Sequence, residues 1–389
     1  MTAGAGWAQQ PTAADAVSWP QALDAAWQRS RERAEGRGQL ERAEAARTAA
    51  GVPWAAPPTL ELDHRAGRSA ASGTQRESEV GVSVPVWLPG QRQSRTQAAE
   101  AEVQAAQRSL EAARLRLAAE LQQAALSVAA QQAEARQAEL ETRLMQSLTE
   151  DVERRVRAGD LARADAMAAR AEWLQAQADQ QAAAQRLQQA RDRWQLLTGL
   201  RGIPPVQAQA PTAVPGEHPE LSAAAARVEH ARRQLQLADR SRRDPPEVGV
   251  RVRRDADNSG ASNSVGVSLR IPMSLAGLSA PVLAQARGEL ELALNEEQRT
   301  RDRLQLAAQA ARLQVDSAVQ QLEVERARAA LLRERAGLID KSFRAGESAL
   351  PDLLRALAAA AQADAAVLRQ QATLNQAQAR LSQSLGILP

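Results

Sequence analysis

From Gln91 to Ala158 the chain contains neither proline nor glycine. Read as one helix from Pro89-Gly90 to about Val156, roughly 67 residues span ~100 Å at ~1.5 Å per residue. A second segment, Leu278 to Phe343, is similar, with Pro281 tolerable in a first helical turn. No compact domain made from 389 residues contains such helices. In the second segment Leu304, Ala308, Ala311, Val315, Ala318, Leu322, Ala329, Leu332, Ala336, Ile339 and Phe343 recur at spacings of three and four, with Glu325 the polar exception. That period is the seam of a coiled coil, and its many alanines let helices approach closely.

The two segments belong to a duplication. Arg157-Ala-Gly-Asp160 recurs as Arg344-Ala-Gly-Glu347, an offset of 187 (344 − 157). Pro89-Gly90 matches Ala276-Gly277, and Leu-Thr-Gly199 matches Ser-Leu-Gly386, at the same offset. Val80-Gly-Val-Ser83 returns as Val265-Gly-Val-Ser268, and Pro57-Pro58 as Pro245-Pro246. Landmarks in one order at nearly one spacing mark an internal repeat. Residues 15–200 form the first copy and 218–389 the second, joined by a linker at 201–217.

Each copy reads helix, strand, loop, strand, very long helix, turn, helix. The first expects a helix over 16–50, strands at 59–66 and 77–86, the long helix at 90–156 and a return helix at 161–198. The second expects a helix at 219–243, strands at 247–254 and 264–272, the long helix at 278–343 and a return helix at 348–385. Gly67–Gln75 and Asp255–Asn263 carry the Gly, Ser, Asp and Asn of hairpin loops. A return helix of ~57 Å placed end to end with an opening helix matches one long helix, giving four columns per chain, two continuous and two broken.

The strands alternate. Leu60, Leu62, Val80, Val82, Val84, Val86, Val248, Val250, Val252, Val265, Val267, Leu269 and Ile271 take one face. Glu61, Asp63, Arg65, Glu79, Arg251, Arg253 and Arg270 take the other. Two readings stand. One is a half-buried sheet of a soluble protein. The other is a transmembrane barrel with lipid outside and a wet lumen inside. Four strands cannot close a barrel, since membrane barrels begin at about eight, so the second reading requires several chains. Trp87 is the one aromatic noted at a strand end.

Composition excludes other classes. Aromatic residues make up 2 % of the chain and nearly all positive charge is Arg, with Lys341 the only lysine. Nucleic-acid binding would need a basic stripe with stacking aromatics, and the net charge is only +3. Zero Cys removes disulfides, thiolate sites and a lipidated N-terminal Cys. His64, His218 and His230 are scattered, and Met145, Met167 and Met273 are isolated, so no metal set is visible and no cofactor is expected. No catalytic constellation is visible either. No apolar run reaches the ~18 residues of a membrane helix. Residues 1–14 read either as the remnant of an export signal or as an unstructured N-terminus.

Taken in order, the duplicated unit, the Val-Gly-Val-Ser-Val-Pro85…Leu-Pro-Gly90 passage, the two Arg-Ala-Gly turns and the closing Leu-Gly386 resemble the TolC family of outer-membrane efflux proteins, closest to its heavy-metal-efflux branch. The resemblance implies a mostly α fold with membrane β-structure. It implies a homotrimer in the outer membrane of a Gram-negative bacterium, with a shared twelve-stranded barrel continued by a periplasmic helical tunnel. It also implies a passive exit duct for metal cations or drugs, working with a periplasmic adaptor and an inner-membrane transporter of the RND type. Type I protein secretion through the same architecture and a soluble coiled-coil scaffold are the alternatives.

By the same resemblance, Arg157, Gly159, Asp160, Arg344, Gly346 and Glu347 form adaptor-docking turns. Asp165 and Asp352 lie at the periplasmic aperture, where a ring of carboxylates would attract cations and make closure pH-sensitive. Arg355 departs from the family pattern, standing where a second acid is expected, i+3 from Asp352.

Overall fold

The computed structural model describes residues 17–69, 73–205, 217–257, 260–273 and 276–388. In chain order the elements are α1 (Trp19–Arg29), α2 (Arg31–Ala50), β1 (Thr59–Ser69), β2 (Gly73–Pro85), α3 (Gln91–Ala158), α4 (Arg163–Thr198), α5 (Pro219–Arg240), β3 (Glu247–Asp257), β4 (Gly260–Arg270), α6 (Ala276–Arg344) and α7 (Leu350–Ser384). The export-signal reading of 1–14 and most of the 201–217 linker lie outside the described residues.

Three expectations change. The opening helix expected at 16–50 is broken at Ser30, whose backbone is extended. The Ser30 hydroxyl donates to the Trp27 carbonyl, ending α1, and accepts from the Arg33 amide, starting α2. One serine thus caps two helices. The strands also run further than expected, so most of Gly67–Gln75 and Asp255–Asn263 is hairpin rather than loop. Polar residues there remain in the ladder because pairing satisfies their backbones whatever their side chains prefer. Finally, α5 stops at Arg240, short of the expected 243.

By contacts the chain forms two compact units that cut across the repeats. The first takes the chain up to Arg33, Ala113–His218 and everything from Arg303; the second takes Ala34–Ala112 and Pro219–Asp302.

In the first unit the helices meet along alanine seams. Ala169, Ala176 and Ala183 of α4 recur every seven residues and are all buried. With no bulk between the helices, Thr142 and Thr149 of α3 reach across and donate to the Ala176 and Ala169 carbonyls, each at 3.0 Å. Along α6 the heptad positions are buried or half-buried; Ala318 and Leu322 pack on Leu374 of α7, and Ala336 on Ala356 and Ala360. Near the end of α4, Trp194 is 1 % exposed among Ala22, Leu23, Leu117 and Leu121, and its indole N–H donates to the Gly202 carbonyl at 3.0 Å. This core holds α1 on α3 and α4.

The second unit carries the sheet. Strands β1 to β4 form an antiparallel meander in sequence order, with β2 pairing β3 across the two repeats. At the strand-to-helix passage, Gly90 takes φ 82°, a left-handed value that glycine tolerates. The buried Gln91 amide then donates to the Arg240 and Arg243 carbonyls, satisfying the open end of α5.

Trp194→Ala is expected to cost ~3–5 kcal/mol, as for other buried aromatics, and to release α1. Limited trypsin digestion reads this as faster cleavage at Arg29–Arg33; an unchanged digestion rate would show that α1 does not depend on this side chain.

Candidate functional site

Two places carry the charged residues singled out from the sequence: the polar face of the sheet and the two turns that end α3 and α6.

The ladder registers set the faces of the sheet. Leu60, Val82, Val250 and Val267 line up in one row, and Leu62, Val80, Val252 and Val265 in the next. A third row is Val84, Val248 and Leu269. Among the described residues little covers them: Leu62 is 70 % exposed and Val267 79 %. A polar row, His64, Ser78, Arg254 and Asn263, bounds this apolar band toward the hairpin ends. At the opposite end sit Trp87, whose indole donates to the Val52 carbonyl at 3.3 Å, and the exposed Trp54. Trp54 escaped the sequence reading because it precedes its strand by several residues. Tryptophans at the edge of an apolar band suit the bilayer interface.

The other face holds Glu61, Asp63, Arg65, Glu79, Arg251, Arg253 and Arg270, as read from alternation. It is a lattice of ion pairs, all but Arg253–Asp255 running between strands. Arg251 meets Glu79 at 3.2 Å, Arg253 meets Glu77 at 3.1 Å and Asp255 at 3.0 Å, and Arg270 meets Glu247 at 3.2 Å. Glu77, Glu247 and Asp255 were missed; continuing the same alternation finds Glu77 and Asp255 two residues further and Glu247 four residues before Arg251, past Gly249.

At the helix ends both repeats build the same turn. Gly159 and Gly346 have φ of 90° and 80°. Asp160 donates its amide to the Arg155 carbonyl and Gly159 to that of Val156; Glu347 and Gly346 do the same with Ser342 and Phe343. This double bonding is a Schellman cap. Arg157, Asp160, Arg344 and Glu347 are exposed, and a Cβ built on either glycine meets open space. The four helices share a core under the turns, formed by Val152, Ala169, Phe343, Leu350 and Leu353. A residue not anticipated, Arg155, ties the repeats together. It pairs with Asp151 at 3.1 Å, donates to the Phe343 carbonyl at 3.3 Å and lies over the Phe343 ring at 5.0 Å.

The two equivalent aspartates differ. Asp165 accepts the Ala162 amide at 3.2 Å, so its carboxylate is engaged at the start of α4. Asp352 instead pairs with Arg355 at 2.5 Å, and both are exposed.

Among the described residues no group of His, Cys, Asp or Glu could hold a metal ion, and no helix is long and apolar enough to cross a membrane. The model of the family described as "Outer membrane efflux protein" matches residues 22–200 and again 213–387. The chain belongs to the outer membrane efflux protein family. It is therefore an outer-membrane channel protein extending into the periplasm, from a family of channels rather than enzymes. Among curated proteins none matches its sequence.

Solved structures of the same fold include VceC from Vibrio cholerae, with a TM-score of 0.78 at 15 % identity, covering 95 % of this chain and 96 % of that one. A membrane protein from Pseudomonas aeruginosa gives 0.77 at 20 % identity, with 95 % and 93 % covered. The open state of the Neisseria gonorrhoeae MtrE outer membrane channel gives 0.73 at 18 % identity, with 95 % and 89 % covered.

One helical residue in this efflux protein is electrostatically unsettled. Burial, and then the nearby Asp179 carboxylate, push the Glu141 carboxyl above the ordinary range. The folded protein thus binds this proton more tightly than the unfolded chain does. The stabilisation is complete below the ordinary carboxylate range and is lost as pH rises through the raised value. Glu141→Gln is expected to raise the melting temperature at neutral pH and to change it little in acid below that range. An equal gain in both conditions would detach the effect from titration.

Proposed function

We propose that this protein is the exit duct of a tripartite efflux system, acting as a homotrimer that passively conducts metal cations or drugs. The observation that carries the reading is the sheet. One face is exposed and apolar, the other is ion-paired, and both outer edges lack a strand partner among the described residues. The apolar face suits lipid and the paired face suits a wet lumen, so Glu61, Asp63, Arg65, Glu79, Arg251, Arg253 and Arg270 would line the pore. Three copies supply twelve strands. A second apolar stripe supports the same assembly: Leu306, Leu313, Val324, Leu331 and Leu338 of α6 are 60–70 % exposed, on the side away from its seam with α7. Single exposed leucines need no partner, but a row on one helical face, at steps of 7, 11, 7 and 7 residues, does.

The turns around Gly159 and Gly346 are read as the adaptor-docking tips, because both are bare, glycine-capped and fixed to one core. The adaptor in turn links the duct to an inner-membrane transporter. Asp352 with Arg355 is the better aperture candidate, since Asp165 is held by its own backbone. An aspartate neutralised by its own arginine weakens a simple acidic ring.

Planar-bilayer recording of the purified protein tests the duct: steps of ion conductance from a trimeric species are expected, and an absence of conductance would reject it. Arg355→Ala frees three carboxylates at the aperture and is expected to raise cation selectivity, with Asp352→Ala doing the opposite; identical reversal potentials in both variants would remove these residues from the aperture. Valine at Gly159 or Gly346 is expected to weaken adaptor cross-linking while the trimer persists, because a β-branched residue resists φ > 0 at a cost of ~1–2 kcal/mol. Wild-type cross-linking yields would cancel the docking role.

A further inference from the structure

The outer edges of the sheet are built to meet each other in one register. Within the chain the two hairpins superpose through the prolines that flank them; the Val80-Gly-Val-Ser83 match to Val265–Ser268 lies two residues earlier, ahead of the inserted Leu269-Arg270. Shifting β1 by 188 (245 − 57) and β2 by 187 (272 − 85), the offsets of the flanking prolines, carries the pair Leu62↔Val80 onto Val250↔Val267, which is an observed pair. The same shifts act on the β2–β3 ladder. Val82↔Val250 becomes Leu269↔Leu62, and Ser83↔Gly249 becomes Arg270↔Glu61. These images join β4 to β1, two strands that cannot pair within one chain because they occupy opposite edges of the sheet.

We infer that β4 of one copy pairs antiparallel with β1 of a second copy in this register, with Arg270 opposite Glu61 of that second copy. The inference rests on the trimeric reading above and adds the residues that close it.

Charge supports the register. Arg270 is the only charged residue of β4, and its side chain is 72 % exposed although it reaches Glu247. Glu61 and Asp63 are exposed and form no ion pair with another described residue. In this register Arg270 is flanked by Glu247 of its own chain and Glu61 of the next, and Asp63 faces the Ser268 hydroxyl. The apolar face continues as well, with Leu62 beside Leu269 and Leu60 beside Ile271.

Barrel geometry is also consistent. Followed from Leu62 through Val80, Val252 and Val265, the row enters the next copy at Ala66, an advance of four residues (66 − 62). Three copies then give a shear of about twelve for twelve strands, and a strand tilt of about 35° from ordinary strand rise and spacing. Membrane barrels tilt by ~35–45°. A two-residue slip one way drops the tilt to about 19°, too upright. The slip the other way gives about 46°, sets Arg270 against Asp63, and breaks the repeat symmetry; it is the competitor the experiment must separate.

The chain has no native Cys, so paired cysteines report cleanly. Directly opposed residues lie at ~4.5–5.5 Å between Cα atoms, within disulfide reach, whereas diagonal neighbours at ~7–8 Å are not. The double variant Glu61→Cys/Arg270→Cys is expected to oxidise to a covalent trimer in outer membranes, and Asp63→Cys/Arg270→Cys is not. Glu61→Arg or Arg270→Glu alone is expected to lose the heat-resistant trimer on gels, and the combined swap to recover it. Cross-linking through position 63 instead, or failure of the swap to recover the trimer, overturns the register while the wild-type trimer stands. A monomeric wild-type protein in membranes overturns the trimeric reading and the register together.

Discussion

A strand inside a bilayer has no water to satisfy its backbone, so every N–H and C=O must find a partner in protein. Much of this molecule follows from that constraint. Its four strands present apolar rows left exposed among the described residues, and the sheet they form ends in two open edges. A sheet with such rows in water would be an aggregation hazard. In lipid the rows are solvated, and the edges can be satisfied only by closure with other copies. Copy number, strand tilt and the placement of charge on one face of the sheet are therefore one problem. The charges on the other face are mostly paired across strands, which holds the strands in register; each exposed pair adds only ~0–1 kcal/mol, so their contribution is alignment more than stability.

The helices solve a different problem. A long helix facing water on much of its circumference cannot rely on a thick core. Here the seams use alanine, so backbones approach closely enough for Thr142 and Thr149 to hydrogen-bond carbonyls of the neighbouring helix. Close approach replaces bulk, and this explains how a chain with 2 % aromatic residues packs at all. The few large side chains are spent where helices end: Trp194 holds α1, and Phe343 sits under the turns with Arg155 across its ring.

Duplication supplies the plan, and divergence supplies the difference between the halves. Both Schellman turns are the same to the hydrogen bond. Yet Asp165 caps its own helix while Asp352 meets Arg355. Arg155 bridges the repeats, and its counterpart one repeat later is Ser342. Two copies of one motif have become an engaged end and an exposed end.

Periodicity alone exposed the long helices, the alanine seam of α6, the two faces of the strands and the repeat, because these depend on spacing along the chain and on the fixed geometry of helix and strand. The break at Ser30 was hidden, since a serine within a helical pattern becomes a double cap only when both neighbouring helices are in place. The partners of the polar-face arginines, the Arg155 latch and the engagement of Asp165 were hidden for the same kind of reason. Each depends on which residues from distant parts of the chain are brought opposite one another. Spacing determined which face every residue of this protein would take; only tertiary structure, through the ladder registers and the shared core under the turns, decided what each of them would meet there.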